Sequence, residues 1–198
     1  INDAPTRFGG YQPENFLRVY HGEVSIETAL QQSLNVPAVA VLDGVGAARF
    51  AARLKQAGVK YLYETDDGRP GLAIALGGGG ISLFDLVTLY RGLASGGRVR
   101  PLSRRARETV PGGGRVMSRM AAWYLTRILE SAPPPDAGVA AQATRRPHPI
   151  AYKTGTSYGF RDAWAVGYDG GYTVGIWVGR ADGTPSPGQY GRKTAAPI

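Results

Sequence analysis

Residues 153–164 read Lys-Thr-Gly-Thr-Ser-Tyr-Gly-Phe-Arg-Asp-Ala-Trp, and the fold class is predicted from this segment and its neighbours. The residues on either side of it predict strands over 150–154 and 163–169, and residues 172–180 predict a third strand. Between the last two strands, Tyr-Asp-Gly-Gly-Tyr at 168–172 is typical of a tight β-hairpin. The sequence therefore predicts an antiparallel sheet near the end of the chain.

Helices come before this sheet. Ser25, Ser82 and Ser118 are good N-cap residues that stand directly before apolar segments. The predicted helical segments cover 26–34, 37–42, about 47–57, 83–94 and 119–131. Helices first and a sheet last predict an α+β fold, with an antiparallel β-sheet flanked by helices.

The sequence makes a separate prediction for each of two later segments. Trp123 and Tyr124 lie near helical spacing with Met120 in the last predicted helix, and we expect these aromatic residues to belong to the core. Residues 132–149 contain five prolines and the pair Arg145-Arg146. That segment is predicted to be a mobile loop.

The composition excludes several classes of site. The chain has 198 residues, is 43% hydrophobic and contains no cysteine, so thiolate metal sites and disulfides are impossible. Its two histidines, His21 and His148, form no metal-binding motif, and His148 in the Pro-rich loop is expected to be solvated. The four glycines at 77–80 lack the following Gly-Lys-Ser/Thr of a phosphate loop. We therefore expect no metal and no cofactor.

The net charge of +8 leaves two interpretations open. Arginines cluster at 98–107 and at 145–146, and such a surface attracts anionic lipid head groups or anionic polymers. A solvated basic surface with no specific partner explains the same residues. The basic residues are not interleaved with aromatic residues, and no nucleic-acid motif occurs, so nucleic-acid binding is not expected.

The Lys-Thr-Gly-Thr segment has the groups that recognise a terminal carboxylate. Lys153 supplies positive charge, and Gly155 allows a ligand to approach the backbone closely. Because side chains alternate along a strand, Thr154 and Thr156 face the same way and their hydroxyls can meet one carboxylate. The Thr156 N–H can also serve as an oxyanion donor at a strand edge. The alternative is an ordinary edge strand with polar residues.

A second candidate lies where two predicted helices meet. In Ser33-Leu34-Asn35, followed closely by Pro37, a hydroxyl and an amide can project together into a cleft. The alternative is that these residues only cap a helix.

Together these motifs resemble the transpeptidase domain of class A penicillin-binding proteins. The stretches that carry the resemblance are VSIETALQQSLNVPA at 24–38, ALGGGGISLFD at 75–85, LASGG at 93–97 and KTGTSYGFRDAW at 153–164. The opening GGYQPENF at 9–16 is most similar to the penicillin-binding protein 1C branch. The resemblance implies the penicillin-binding protein and serine β-lactamase-like transpeptidase fold.

The resemblance also implies a role for each motif residue. Ser33, Asn35 and Lys153 would be catalytic. Ser33 would relay a proton, Asn35 would bind the donor peptide amide, and Lys153 would provide the electrostatic environment that Ser33 needs. The residues that would bind substrate are Thr154, Gly155, Thr156 and Ser157. Asp162 and Trp164 would be structural.

One departure from the family pattern concerns the nucleophile. The family uses a serine three residues before a lysine, but the residues three before the four lysines are Ala52, Ala57, Ile150 and Tyr190. We therefore expect residues 1–198 to be a partial domain, incomplete at both ends. The nucleophile helix would lie upstream and a final helix downstream.

The resemblance implies a serine-type enzyme that cross-links peptidoglycan. Its partners would be peptidoglycan stem peptides, the lipid-linked precursor, β-lactam antibiotics and other cell-wall synthesis proteins. The intact protein would be anchored in the bacterial inner membrane by a segment outside this chain, with this domain on the periplasmic side.

Two other hypotheses compete with this one. The missing nucleophile motivates a catalytically inactive module of the same fold that binds peptidoglycan or a partner. A secreted β-lactamase would need a deacylating base, and no Glu motif for one is found.

Overall fold

The computed structural model describes residues 1–63, 68–103, 105, 108, 110–135 and 149–198. The chain divides into two compact units, Ile1–Ile81 and Ser82–Ile198. Arg145, Arg146 and His148, with most of the predicted mobile loop, lie outside the described residues. Each helix in the described ranges is too short or too polar to span a lipid bilayer.

The first unit is mostly helical, with short strand pairs. Its strands are β1 (Asn2–Asp3), β2 (Gly22–Glu23), β3 (Tyr61–Tyr63) and β4 (Gly79–Ile81), and its helices are α1 (Ile26–Gln31), α2 (Asn35–Val45), α3 (Ala47–Gln56) and a 3₁₀ helix at Leu72–Leu76. Strand β1 pairs with β2 and β3 with β4, both antiparallel. Helix α2 supplies much of the core through Val36, Val39 and Leu42.

The second unit contains the sheet that the sequence predicts. Its elements are α4 (Leu83–Ala94), β5 (Arg98–Val99), β6 (Gly114–Arg115), α5 (Arg119–Glu130), β7 (Ala151–Thr156), β8 (Asp162–Tyr168), β9 (Thr173–Gly179) and α6 (Gly191–Thr194). Strands β7, β8 and β9 lie in that order and are all antiparallel. The α+β fold class is confirmed.

The predicted N-caps are confirmed by their hydrogen bonds. The hydroxyls of Ser25, Ser82 and Ser118 accept from the backbone N–H groups three residues later, at 3.0, 3.0 and 3.1 Å. Each bond satisfies an N–H that has no partner inside its helix.

Helix α2 is longer than predicted. The sequence predicts a segment over 37–42, because Asp43-Gly44 resembles a helix end. The helix instead continues to Val45 and stops at Gly46, whose φ of 88° breaks the helical backbone. A glycine with helical φ lowers helix stability but does not end a helix.

The two faces of the β7–β8–β9 sheet pack against different elements. On one face, Ala151 and Tyr168 cluster with Leu129 of α5 and with Tyr90 and Leu93 of α4. On the other face, Ala163 and Ala165 cluster with Ala195 at the end of α6. Since cross-strand partners share a face, these clusters show which side each residue of β7 occupies.

The core prediction for α5 is wrong. Met120, Trp123 and Tyr124 are 70%, 59% and 57% exposed, whereas Ala122 and Leu129 are buried. The helix has an apolar stripe on each of two faces, and the stripe of smaller side chains packs on the sheet. Helical spacing alone does not decide which of two apolar stripes is buried.

Candidate active site

Ser33 occupies a strained backbone position at the end of α1. Its φ is 55°, in the left-handed region that usually belongs to glycine. The Ser33 N–H donates to the Leu30 carbonyl at 3.2 Å, and the Leu34 N–H donates to the Ala29 carbonyl at 2.9 Å. This pair of bonds is the Schellman motif, which closes a helix with a left-handed residue. The motif leaves the Ser33 side chain exposed.

Asn35 is the first residue of α2, and one hydrogen bond determines the orientation of its side-chain amide. Its Nδ2 donates to the Glu14 carbonyl at 2.7 Å. A carbonyl can only accept, so the amide nitrogen of Asn35 must face Glu14 and its Oδ1 must point elsewhere. The Asn35 backbone N–H donates to Oδ1 of Asn15 at 2.8 Å. The sequence reasoning did not single out Asn15.

Lys153 lies on β7 opposite Val166, on the face of the sheet that packs against α4 and α5. Its Nζ donates to the Thr154 carbonyl at 2.9 Å. Burial lowers the pKa of Lys153 from its ordinary value of 10.5 to about 8. A buried ammonium loses hydration, which favours the neutral amine. At neutral pH the group is still mainly protonated, but it can release its proton more readily than an exposed lysine.

Thr154 and Thr156 lie on the other face of the sheet. Their cross-strand partners are Ala165 and Ala163, which pack against Ala195. Oγ1 of Thr156 accepts a hydrogen bond from the Gly191 N–H at 3.0 Å. The hydroxyl proton of Thr156 is therefore still available to a ligand.

The backbone of Thr156 is oriented outward from the sheet. The Ser157 N–H donates to the Asp162 carbonyl at 3.0 Å. In an antiparallel pair only alternate residues bond to the neighbouring strand, so the Thr156 N–H points away from β8. Within the described residues β7 is an outer strand of its sheet. This is the orientation that an oxyanion donor needs.

Gly191 supports this strand from 35 residues away. A Cβ on Gly191 would lie 2.4 Å from the carbonyl oxygens of both Gly155 and Trp164. Only glycine therefore permits this approach of α6 to β7 and β8. The sequence reasoning missed Gly191, and a glycine in a polar Gly-Arg-Lys segment gives no local signal of such packing.

Ser157 and Asp162 close the turn between β7 and β8. The Asp162 N–H donates to Oγ of Ser157 at 2.8 Å, and Oδ1 of Asp162 accepts from Nε1 of Trp177 at 2.8 Å. The rings of Trp164 and Trp177 pack with centroids 6.3 Å apart. These contacts agree with a structural role for Asp162 and Trp164.

The candidate residues thus form two groups. Ser33 and Asn35 lie at the α1–α2 junction of the first unit, and Lys153, Thr154, Gly155, Thr156 and Ser157 are consecutive on or directly after β7 in the second. In the part of the chain that the structure describes, no cluster of His, Asp or Glu could hold a metal ion.

Comparison with known proteins matches residues 2–198 to the family described as penicillin binding protein transpeptidase domain. The chain is similar to penicillin-binding protein 1C of Escherichia coli K12, with 44% identity over 100% of this chain and 25% of that protein. It is also similar to penicillin-binding protein 1B of Vibrio cholerae, with 32% identity over 94% of this chain and 25% of that protein. The chain therefore spans a quarter of the length of these relatives.

Among solved structures, the PonA1 protein from Mycobacterium tuberculosis in complex with penicillin V matches 97% of this chain and 58% of its own, with a TM-score of 0.77 and 24% identity. Penicillin-binding protein 1A from Haemophilus influenzae matches 98% of this chain and 36% of its own, with a TM-score of 0.76 and 21% identity. These structures establish the fold. The chain belongs to the penicillin-binding protein transpeptidase domain family.

Proposed function

We propose that this chain supplies two of the three motifs of a serine DD-transpeptidase that cross-links peptidoglycan. The observation that carries the proposal is the outward Thr156 N–H, three residues along β7 from the partly buried Lys153. Membership of the penicillin-binding protein transpeptidase family supports it. The nucleophilic serine would come from a segment outside these 198 residues, so that residues 1–198 form part of the catalytic domain.

In this proposal the reaction has two steps. The serine oxygen attacks the penultimate D-alanine carbonyl of a stem peptide, a C–O bond forms, and the C–N bond to the terminal D-alanine breaks. The terminal D-alanine leaves as an amine that takes up the serine proton. An acceptor amine then attacks the ester carbon, the C–N bond of the cross-link forms, the C–O bond to the serine breaks, and a proton of the amine returns to the serine oxygen.

Residues of this chain assist both steps. The Ser33 hydroxyl relays the proton between the attacking oxygen and the leaving amine. The positive charge of Lys153 favours the developing oxyanion, and the Thr156 N–H donates a hydrogen bond to it. With its amide nitrogen held by Glu14, Asn35 offers Oδ1 to an N–H of the donor peptide.

The substrate contacts proposed for β7 follow from the hydrogen bonds that its side chains make within the protein. The Thr156 hydroxyl accepts from Gly191 and so donates its proton to the substrate carboxylate. Thr154 shares the face of Thr156 and provides a second hydroxyl. Gly155 is exposed and lets the substrate backbone run alongside β7, and Ser157 completes the binding segment.

The wider setting is also proposed from the family. The intact protein would be anchored in the bacterial inner membrane, with this domain in the periplasm. It would act on stem peptides and the lipid-linked precursor beside other cell-wall synthesis proteins, and β-lactams would acylate the same serine.

The test is covalent labelling with a fluorescent penicillin, read on a denaturing gel. The 198-residue chain is compared with the protein that carries it together with its upstream segment. We expect label only on the longer protein. If neither is labelled, the transpeptidase proposal is wrong and the inactive binding module takes its place.

A further inference from the structure

Helix α2 begins without a cap from its own N-cap residue. The first four N–H groups of a helix have no partner within it. Leu34 at the N-cap has no side-chain acceptor, and its own N–H bonds to Ala29. Pro37, the third residue of the helix, has no N–H. Only the N–H groups of Asn35 and Val36 therefore need a partner from elsewhere.

Asn15 provides that partner from 20 residues earlier. Its Oδ1 accepts from the N–H of Asn35 at 2.8 Å and from the N–H of Val36 at 3.3 Å. Its Nδ2 donates to Oδ1 of Asp3 at 2.7 Å and to the Val19 carbonyl at 2.9 Å. This buried amide uses both donors and both acceptor positions, so its orientation is fixed.

Asp3 fixes the Asn15 side chain by accepting a hydrogen bond from its amide nitrogen. The carboxylate is fully buried, and its Oδ2 accepts from the backbone N–H of His21 at 3.0 Å and lies 3.1 Å from Nδ1 of His21. Burial acts to raise the pKa of Asp3, but the hydrogen bonds from Asn15 and His21 outweigh burial and leave the pKa below its ordinary value. The group is therefore a carboxylate at neutral pH and a strong acceptor for the Asn15 amide.

The same loop contacts Asn35 a second time, because the Glu14 carbonyl accepts from Nδ2 of Asn35. Residues 14 and 15 thus hold both the backbone and the side chain of Asn35. Ser33, two residues before, has the strained φ of 55°. Strained positions persist only where the surrounding structure holds them.

From these contacts we propose that Asn15 is a positioning residue for the Ser33-Leu34-Asn35 segment, with Asp3 fixing the Asn15 amide. The expected effect of Asn15 on the acylation rate rests on the proposed transpeptidase function. Asn15 touches no reacting atom in this proposal. It acts by keeping the Ser33 hydroxyl and the Asn35 amide at the places from which they act.

The test replaces Asn15 by Ala in the protein that carries this chain together with its nucleophile. The rate of acylation by penicillin is measured well below the unfolding temperature. We expect that rate to fall by about 10²-fold, the effect of a displacement of about 1 Å in an active site. Amide hydrogen exchange at Asn35 and Val36 should become fast, because both N–H groups lose their acceptor.

Two further variants separate positioning from stability. Val39→Ala removes a fully buried side chain of α2 and destabilises the same helix without touching the network, so its acylation rate should stay near wild type. The paired change Asp3→Asn with Asn15→Asp exchanges the amide and the carboxylate. It keeps acceptors for Asn35 and Val36, and should recover part of the rate and of the exchange protection that Asn15→Ala loses.

Two results would overturn the inference. One is an Asn15→Ala protein that acylates like wild type with Asn35 and Val36 still protected. The other is a Val39→Ala protein that loses as much rate as Asn15→Ala at equal stability. If wild type forms no penicillin adduct, the transpeptidase proposal fails by itself, and exchange at Asn35 and Val36 still decides whether Asn15 holds the segment.

Discussion

The two motif-bearing regions of this molecule are built in opposite ways. Lys153–Thr156 lies in a regular strand, where pairing with β8 determines the direction of every side chain and N–H. Ser33–Asn35 lies at a helix junction, where a left-handed serine ends one helix and a remote amide caps the next. A motif in a strand is placed by its register, whereas a motif at a junction depends on contacts from distant parts of the sequence.

The largest expected effect comes from removing the charge on the strand. Lys153→Met keeps most of the length of the side chain and loses the cation. We expect the penicillin acylation rate to fall by about 10²-fold or more, as when one electrostatic group is removed from an oxyanion site. The control is Lys193→Met, which removes an exposed lysine of the same unit and should leave the rate unchanged. Equal rates in both variants would remove Lys153 from the mechanism.

The lowered pKa of Lys153 predicts opposite pH responses of activity and stability. Acylation should decline as pH rises through about 8, where the folded protein loses this proton. The unfolded chain keeps this proton up to a pH of about 10.5, so between pH 8 and 10.5 it binds more protons than the folded protein. Stability therefore gains from this group over that window as pH rises. Lys153→Met should lack both responses, measured as a rate profile and as urea unfolding at each pH. A wild-type rate that stays flat to pH 10 would contradict the prediction.

A glycine pair tests how the strand is supported. Gly191→Ala forces a Cβ against backbone oxygens of β7 and β8, and should destabilise the fold by about 1–3 kcal/mol. Gly44→Ala is the matched control. Gly44 is exposed near the end of α2 with open space around its Cβ position, so the change should stabilise by roughly 0.5–1 kcal/mol. Urea unfolding of the two variants measures the contrast, and a neutral Gly191→Ala would show that α6 can shift without cost.

The smallest expected effect concerns strain at the junction. Ser33→Gly and Ser33→Ala both remove the hydroxyl, but only glycine relaxes the left-handed backbone. We expect the glycine variant to be more stable than the alanine variant by about 1 kcal/mol. Thermal unfolding measures the difference, and equal stabilities would mean that Ser33 carries no strain.

The contrast between the regions also explains which parts of the fold and of the site could be predicted from the sequence. The three strands of the β7–β8–β9 sheet, the capped helices and the positions of both motifs follow from local patterns, whereas the short strands β1 to β4 were not predicted. Asn15 was missed because its hydrogen bonds join residues 20 positions apart, and Gly191 because its role is a close backbone approach. The core placement of Trp123 failed because α5 has two apolar stripes and only tertiary packing selects one.

Under the proposed transpeptidase function, Ser33 and Lys153 act in one reaction. A double-mutant cycle of penicillin acylation rates tests it most directly, with Ser33→Gly, Lys153→Met and the combined variant in the protein that carries the nucleophile. Residues that act as a unit in catalysis give strongly non-additive losses. We predict that the combined variant is about as slow as the slower single variant. Losses that multiply would show that the two residues act independently, and would contradict the claim.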